Sequence, residues 1–152
     1  SRLFQKIREE KGLAYTIYSY PTSYADTGYF ALYAGAGRDK AAEVARLVFD
    51  ELALIRKEGF SKQEFRRAKD QLRGNYLLGQ ENTGARSSAI GKAELLLGEV
   101  MEEEELLSRL ESVKEEDVAA IIPVVLDEGM LCASVVGKLG KEAEEIESMV
   151  KG

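Results

Sequence analysis

Two hydrogen-bond donors stand seven residues apart near the start of the chain, Arg8 and Tyr15, in the stretch Arg8-Glu-Glu-Lys-Gly-Leu-Ala-Tyr15. A guanidinium offers five N–H groups in a fixed fork and a phenol offers one O–H. Such a pair can hold a carbonyl oxygen, or stabilise one on which negative charge develops. The structural alternative is that Arg8 pairs with a nearby acid while Tyr15 packs on a sheet. The chain contains no histidine, so any step needing an imidazole must be supplied from elsewhere. The single cysteine, Cys132, excludes an internal disulfide and has no imidazole partner to make it a nucleophile. In the apolar run from Met130 to Val136 it reads as a small buried side chain. A zinc site inside this chain would have to be built from carboxylates alone, and none is expected.

Other stretches have a chemical reading that the structural one outweighs. Gly35-Ala-Gly37 follows a strand and precedes a helix, but it lacks the Gly-x-Gly-x-x-Gly spacing and the Gly-Lys-Ser/Thr ending of phosphate loops. Arg66, Arg67, Lys69, Asp70 and Arg73 form the solvated outer face of a helix rather than an anion patch. The run Glu102 to Glu105 is a helix start, where carboxylates complement the helix dipole. Four consecutive carboxylates point around a helix instead of converging on a metal.

The elements that must position Arg8 and Tyr15 follow from periodicity. Ser1 to Lys11 reads as a helix, with Leu3, Phe4 and Ile7 on one face, and Gly12 sits where a glycine cap belongs. Leu13 to Tyr20 alternates as a strand, Pro21 and the polar residues to Asp26 make a turn, and Thr27 to Ala34 returns as an antiparallel partner. Asp39 is placed to cap a helix carrying Val44, Leu47, Val48, Leu52 and Ile55. Ser61-Lys-Gln-Glu64 is a capping box, with Phe60 and Phe65 as its hydrophobic staple, opening a helix that continues to about Gln80 through Gly74 and Gly79. Thr83 is placed to cap the next helix, which Gly98 closes. Leu106, Leu107 and Leu110 bury a short one. Another begins near Ser112-Val-Lys-Glu115, where Pro123 predicts a kink or an early end. Met130 to Val136 reads as a third strand, and Leu139 onward as a terminal helix.

At 152 residues with 45% hydrophobic side chains, residues 1–152 are most simply one domain with a real core. A net charge of −6 and the lack of a basic face argue against nucleic acid. No apolar run has membrane-spanning length and no secretory leader opens the chain, so a cytoplasmic setting is the default. The fold class is α+β, an antiparallel or mixed sheet with helices packed on one face. Three strands are few for so much helix, which implies a missing first strand upstream.

Ser1-Arg-Leu-Phe-Gln5, Ile7 to Tyr15, Ser19-Tyr20, Asp26-Thr-Gly28 and Tyr33-Ala-Gly35 are followed by Glu51-Leu52, Arg67-Ala-Lys69, Gln71-Leu72, Glu94-Leu95 and Glu116-Asp-Val118. In order and spacing these resemble the insulinase/pitrilysin family of zinc metallopeptidases, in its processing-peptidase-like bacterial branch. The resemblance runs over nearly the whole chain and implies a LuxS/processing-peptidase-like domain. It matches the family's C-terminal domain, N-terminally truncated. The inverted His-x-x-Glu-His zinc site belongs to the N-terminal domain and is absent here. The family's arginine and its tyrosine seven positions later match Arg8 and Tyr15, which implies contacts to the substrate backbone across a cleft from the metal. The zinc-activated water would attack a peptide carbonyl there. Zinc is therefore expected in the parent protein and not in this chain, which alone should be inactive. The implied partners are a peptide substrate and a zinc-bearing N-terminal domain or subunit. A non-catalytic scaffold or partner subunit of the same fold, binding peptides or assembling a complex, is the alternative. A self-sufficient module taking extended peptides at its sheet edge is a third reading.

Three departures from the family matter. The glycine-rich segment and first strand that precede Ser-Arg-Leu-Phe are absent, Pro123 interrupts a helix, and Lys114 stands where a threonine cap is common, so that helix is expected to begin at Ser112. A missing strand leaves a sheet edge unpaired, which predicts self-association. Light scattering at high concentration is expected to show species larger than a monomer, and a clean monomer would count against an exposed edge.

Overall fold

Three pairs of side chains, each four residues apart, decide how the chain begins. In a computed structural model that describes residues 1–151, the leading helix Phe4–Glu10 is wound in the wide π form, whose hydrogen bonds reach five residues back instead of four. Leu3 and Ile7 turn inward, and Ile7, 1% exposed, is the most completely buried large side chain among the described residues. Arg2 and Lys6 turn toward the buried carboxylate of Glu51. Phe4 and Arg8 stack on each other, the guanidinium 4.9 Å from the ring centre. The periodicity predicts an α-helix here; the wider winding is a departure that a sequence pattern of this length cannot distinguish.

The chain falls into two compact units, one made of residues 1–59 and 121–151, the other of residues 60–120. In the first unit the leading helix ends at Gly12, whose N–H donates to Arg8 (3.2 Å) inside a wider bond from Leu13 N–H to the Ile7 carbonyl (3.0 Å). Gly12 holds φ +62°, a conformation that costs any residue with a Cβ. From there β1 (Ala14–Ser23) pairs antiparallel with β2 (Gly28–Ala36). Pro21 lies within β1 opposite Phe30, where the composition predicts a turn. A strand with only one neighbour tolerates the missing N–H of proline. The connection is closed by a bond from Tyr24 N–H to the Thr27 carbonyl (2.8 Å).

After a short 3₁₀ turn, Arg38–Lys40, helix α1 (Ala41–Glu58) packs its apolar stripe on the hairpin. Leu3, Ile7, Ala14, Ile17 and Val44 form the core, with Leu32, Leu47 and Val48 half-buried against it. Asp39 makes no capping bond to α1; it sits in the 3₁₀ turn, and Lys40 occupies the cap position without a side-chain bond. Helix α6 (Lys141–Lys151) buries Ile146 and contacts α1. Its first turn is organised by Glu142, which accepts from Gly140 N–H at 2.8 Å. Bonds from its own and the Gly140 backbone N–H hold its carboxyl below the ordinary carboxylate range, with a smaller contribution from Arg38.

The second unit contains α2 (Lys62–Gln80), α3 (Thr83–Leu97) and α4 (Glu103–Ser112). The capping box forms as the sequence predicts: Ser61 Oγ accepts from Glu64 N–H, and the Glu64 carboxylate accepts from Ser61 N–H at 2.9 Å. Helix α2 runs through Gly74 and Gly79 to Gln80. Asn82, not Thr83, caps α3, accepting from Ala85 N–H at 2.9 Å. Glu102 to Glu105 opens α4. Lys69 ties α2 to the end of α4 by donating to the carbonyls of Glu111 (2.7 Å) and Val113 (3.1 Å).

Helix α5 (Glu115–Val125) carries the boundary between the units and passes through Pro123 without stopping. It starts at Glu115, not at Ser112, whose hydroxyl instead donates back to the Arg109 carbonyl at 2.7 Å. Asp117 accepts from Lys114 N–H at 2.8 Å, the reciprocal half of a capping box whose other half a threonine at position 114 would supply. Among the described residues Met130–Val136 pairs with no strand, so the expected third strand does not form. Cys132 is exposed accordingly, and the expectation that it is buried fails for the same reason. The molecule is α+β, with the leading helix and α1 packed on one face of an antiparallel hairpin.

A Cβ at Gly12 would meet no atom within 4 Å, so the cost of replacing it is backbone strain alone. Gly12→Ala is expected to lower stability by about 1–2 kcal/mol, read as a shifted urea midpoint with an unchanged slope.

Candidate functional site

Strand residues alternate between faces, so Ala14 and Ile17, three apart, should point to opposite sides of β1. Both are buried. The ladder resolves the conflict: Ala14 pairs with Ala36 and Thr16 with Gly35, leaving Tyr15 as an extra residue between them. This bulge resets the alternation, which lets one strand contribute Ala14 and Ile17 to the core. It also turns Tyr15 outward, to 78% exposure. Bulges recur beside active sites because they re-aim a side chain in this way. The sequence signal was present in the three-residue spacing of two small apolar positions within an otherwise alternating strand.

Arg8 is exposed on the last turn of the leading helix, its planar head laid over Phe4. That contact restricts the guanidinium without using its N–H groups. Among the described residues neither the Arg8 nor the Tyr15 side chain makes a hydrogen bond or an ion pair. The structural alternative, an Arg8 ion pair with Tyr15 packed on the sheet, is not what the fold adopts. Both residues are free donors flanking the Gly12 turn.

Sequence reasoning missed two features around them. Tyr18, Tyr20, Tyr29 and Tyr33 of the two strands, with Tyr24 of the connecting turn, form a chain of ring contacts along the hairpin. Tyr18 stacks on its cross-strand partner Tyr33 at 5.1 Å, and Tyr20 meets Tyr29 edge-on at 6.4 Å. The signal was the alternation of tyrosines in both strands. The other is Glu51, 4% exposed and the one buried charged side chain among the described residues. Its position, three residues after Val48 and four after Leu47, places a carboxylate on the apolar stripe of α1. An open groove of about 400 Å³ runs along the leading helix and α1 past Lys6, Glu10, Asp50 and Glu51, and neither Arg8 nor Tyr15 lines it.

A zinc ion is not fitted by these residues. There is no histidine, the lone thiol is exposed, and among the described residues no three His, Cys, Asp or Glu side chains gather closely enough to share a metal. Among the described residues no helix is long and apolar enough to cross a membrane.

Comparison with known proteins adds four findings. Residues 1–72 match the family model described as the peptidase M16 inactive domain. The chain is 41% identical over 151 residues to an uncharacterized zinc protease of Streptomyces coelicolor, covering 99% of this chain and 33% of that protein. It is 38% identical over 118 residues to another from Bacillus subtilis, covering 78% of this chain and 29% of that protein. It thus spans about a third of the length of these relatives. In structure it is similar to a chain of complex III2 from Candida albicans, with a TM-score of 0.73 at 20% identity over 98% of this chain and 36% of that one, a likeness of fold.

Exposure ranks Tyr15 above the other tyrosines of the hairpin. Limited nitration with tetranitromethane followed by peptide mapping is expected to modify Tyr15 first. Preferential modification of Tyr18 or Tyr33 would contradict the bulged geometry.

Proposed function

The chain belongs to the M16, insulinase-type peptidase family, and from that premise we propose that it is the non-metal half of the active site of a cytoplasmic zinc endopeptidase. The observation that carries the proposal is the pairing of two unengaged donors, Arg8 and Tyr15, on either side of a rigid turn, one ordered by stacking and the other turned out by a bulge. An extended peptide presents carbonyl oxygens along its backbone. The Arg8 fork donates to such oxygens and fixes the peptide's register. The Tyr15 O–H donates to the carbonyl on which charge grows during hydrolysis. Neither group needs to change protonation state for this role, which suits a chain without imidazole. Since this donor set fits no zinc ion, the metal and the water it activates are assigned to a separate zinc-bearing domain or subunit. That domain closes the other side of a peptide-binding cleft. The names of the relatives, zinc proteases about three times as long, support this division.

The chain alone, with zinc added, is expected to leave a fluorogenic peptide uncut. Adding a zinc-bearing M16 domain with an intact His-x-x-Glu-His motif is expected to produce cleavage. In that mixture Arg8→Ala and Tyr15→Phe should each lower kcat/KM by about 10²- to 10³-fold. Robust turnover by the chain alone would sink the proposal. Peptide binding without cleavage in the complete mixture would decide for a scaffold of the same fold.

A further inference from the structure

Glu51 lies on the apolar stripe of α1, in the middle of the face that seats the leading helix, and it is 4% exposed. A carboxylate there is tolerated only if cations and hydrogen bonds meet it. Both its cations come from the start of the chain, Lys6 from the leading helix and Arg2 from the turn just before it. Arg2 Nη1 lies 3.4 Å from Oε1, and Lys6 Nζ donates to Oε2. Arg2 also donates through Nη2 to the Gly59 carbonyl at 3.2 Å, at the end of α1. The leading helix is therefore fixed by a clamp of two partly exposed cations on one buried carboxylate, beside the apolar contacts of Leu3 and Ile7. The two kinds of contact do different things. Burial of Leu3 and Ile7 is non-directional and permits the helix to roll or slide on α1. The clamp, with defined donors and acceptors one turn apart, sets the rotation of the helix about its axis. Arg8 is two residues beyond Lys6 on that helix, so its direction is set by the same rotation.

We propose that Glu51 is a positioning residue for the Arg8–Tyr15 site, acting through Lys6 and Arg2 to fix the rotation of the helix that presents Arg8. It touches no substrate, and the inference rests on the reading of Arg8 as a peptide contact. Fluorescence anisotropy with a fluorescein-labelled 15-residue casein segment measures peptide affinity on the full chain. Glu51→Gln keeps the side chain's volume and removes its charge. If Glu51 acts through Arg8, Glu51→Gln weakens binding about as much as Arg8→Ala does, and it has no further effect when Arg8 is already alanine. Equal weakening in both backgrounds overturns the proposal, because independent contributions add. An unchanged affinity in the otherwise native chain overturns it as well.

Amide hydrogen exchange separates this from general loosening. Faster exchange confined to Gln5–Lys11, with Ile17 and Leu32 still protected, supports the positioning role. Exchange that rises equally throughout the core counts against it. If Glu51→Gln does not fold, Lys6→Met removes one arm of the clamp while leaving the carboxylate paired with Arg2, and the same two readouts decide. An Arg8→Ala variant with native affinity would instead overturn the peptide-contact reading, and the exchange pattern would still decide whether Glu51 sets the helix.

Discussion

A carboxylate removed from water costs several kcal/mol unless its lone pairs are met, and in this chain that requirement falls on Glu51. A leucine in its place would remove the ion pairs to Arg2 and Lys6 and leave the leading helix held largely by area, which has no preferred direction. The ion cluster trades stability for geometry. Replacing such clusters by apolar groups is often neutral or stabilising in other proteins, so its value here is specificity of placement. The turn that follows is equally restrictive, because Gly12 has only backbone conformation to offer and uses the left-handed region. The buried charge bears on how the helix sits, and the glycine on where the helix ends and the strand begins.

The two units differ in what holds them. In the first, side chains from the leading helix, β1 and α1 close a small core, and α5 and α6 each bury one isoleucine. In the second, none of α2, α3 or α4 has a fully buried residue. Leu95, Leu96 and Leu97 are all more than half exposed at the end of α3. Local devices dominate there instead: the Ser61–Glu64 capping box, the Asn82 cap and the Lys69 tie to the α4 carboxyl end. Each of these contributes about 1 kcal/mol, which is adequate to define helix ends but not to replace a core.

What was legible in the sequence was what depends on neighbours along the chain. The Ser61 capping box, the Gly12 and Gly98 stops, the α2 helix passing through two glycines and the antiparallel hairpin follow from local chemistry. The errors fall where a distant partner decides. Met130–Val136 has strand composition but no ladder to join, and Cys132 is exposed with it. Asp39 and Thr83 have capping side chains, yet the cap positions fall one residue away, at Lys40 and Asn82. The positions of Arg8 and Tyr15 were read from family spacing. Their exposure, the bulge at Tyr15 and the stacking of Arg8 on Phe4 were not, because each is fixed by contacts with the core or across the ladder.

The bulge shows how one strand serves two demands. A regular β1 could bury Ala14 or Ile17 but not both, since a three-residue step changes face. It could equally well place Tyr15 opposite Gly35 or Ala36, in the ladder and level with its neighbours. Inserting one unpaired residue satisfies the core on both sides of the insertion and leaves that residue as the one not committed to it. The residue so released is the tyrosine. Gly35 helps to make the room: a Cβ there would approach Thr16 Cγ2 to 3.1 Å, just where the ladder resumes after the bulge. The same local irregularity that completes the packing of the first unit therefore also supplies its most exposed phenol, next to the turn that ends the helix carrying Arg8.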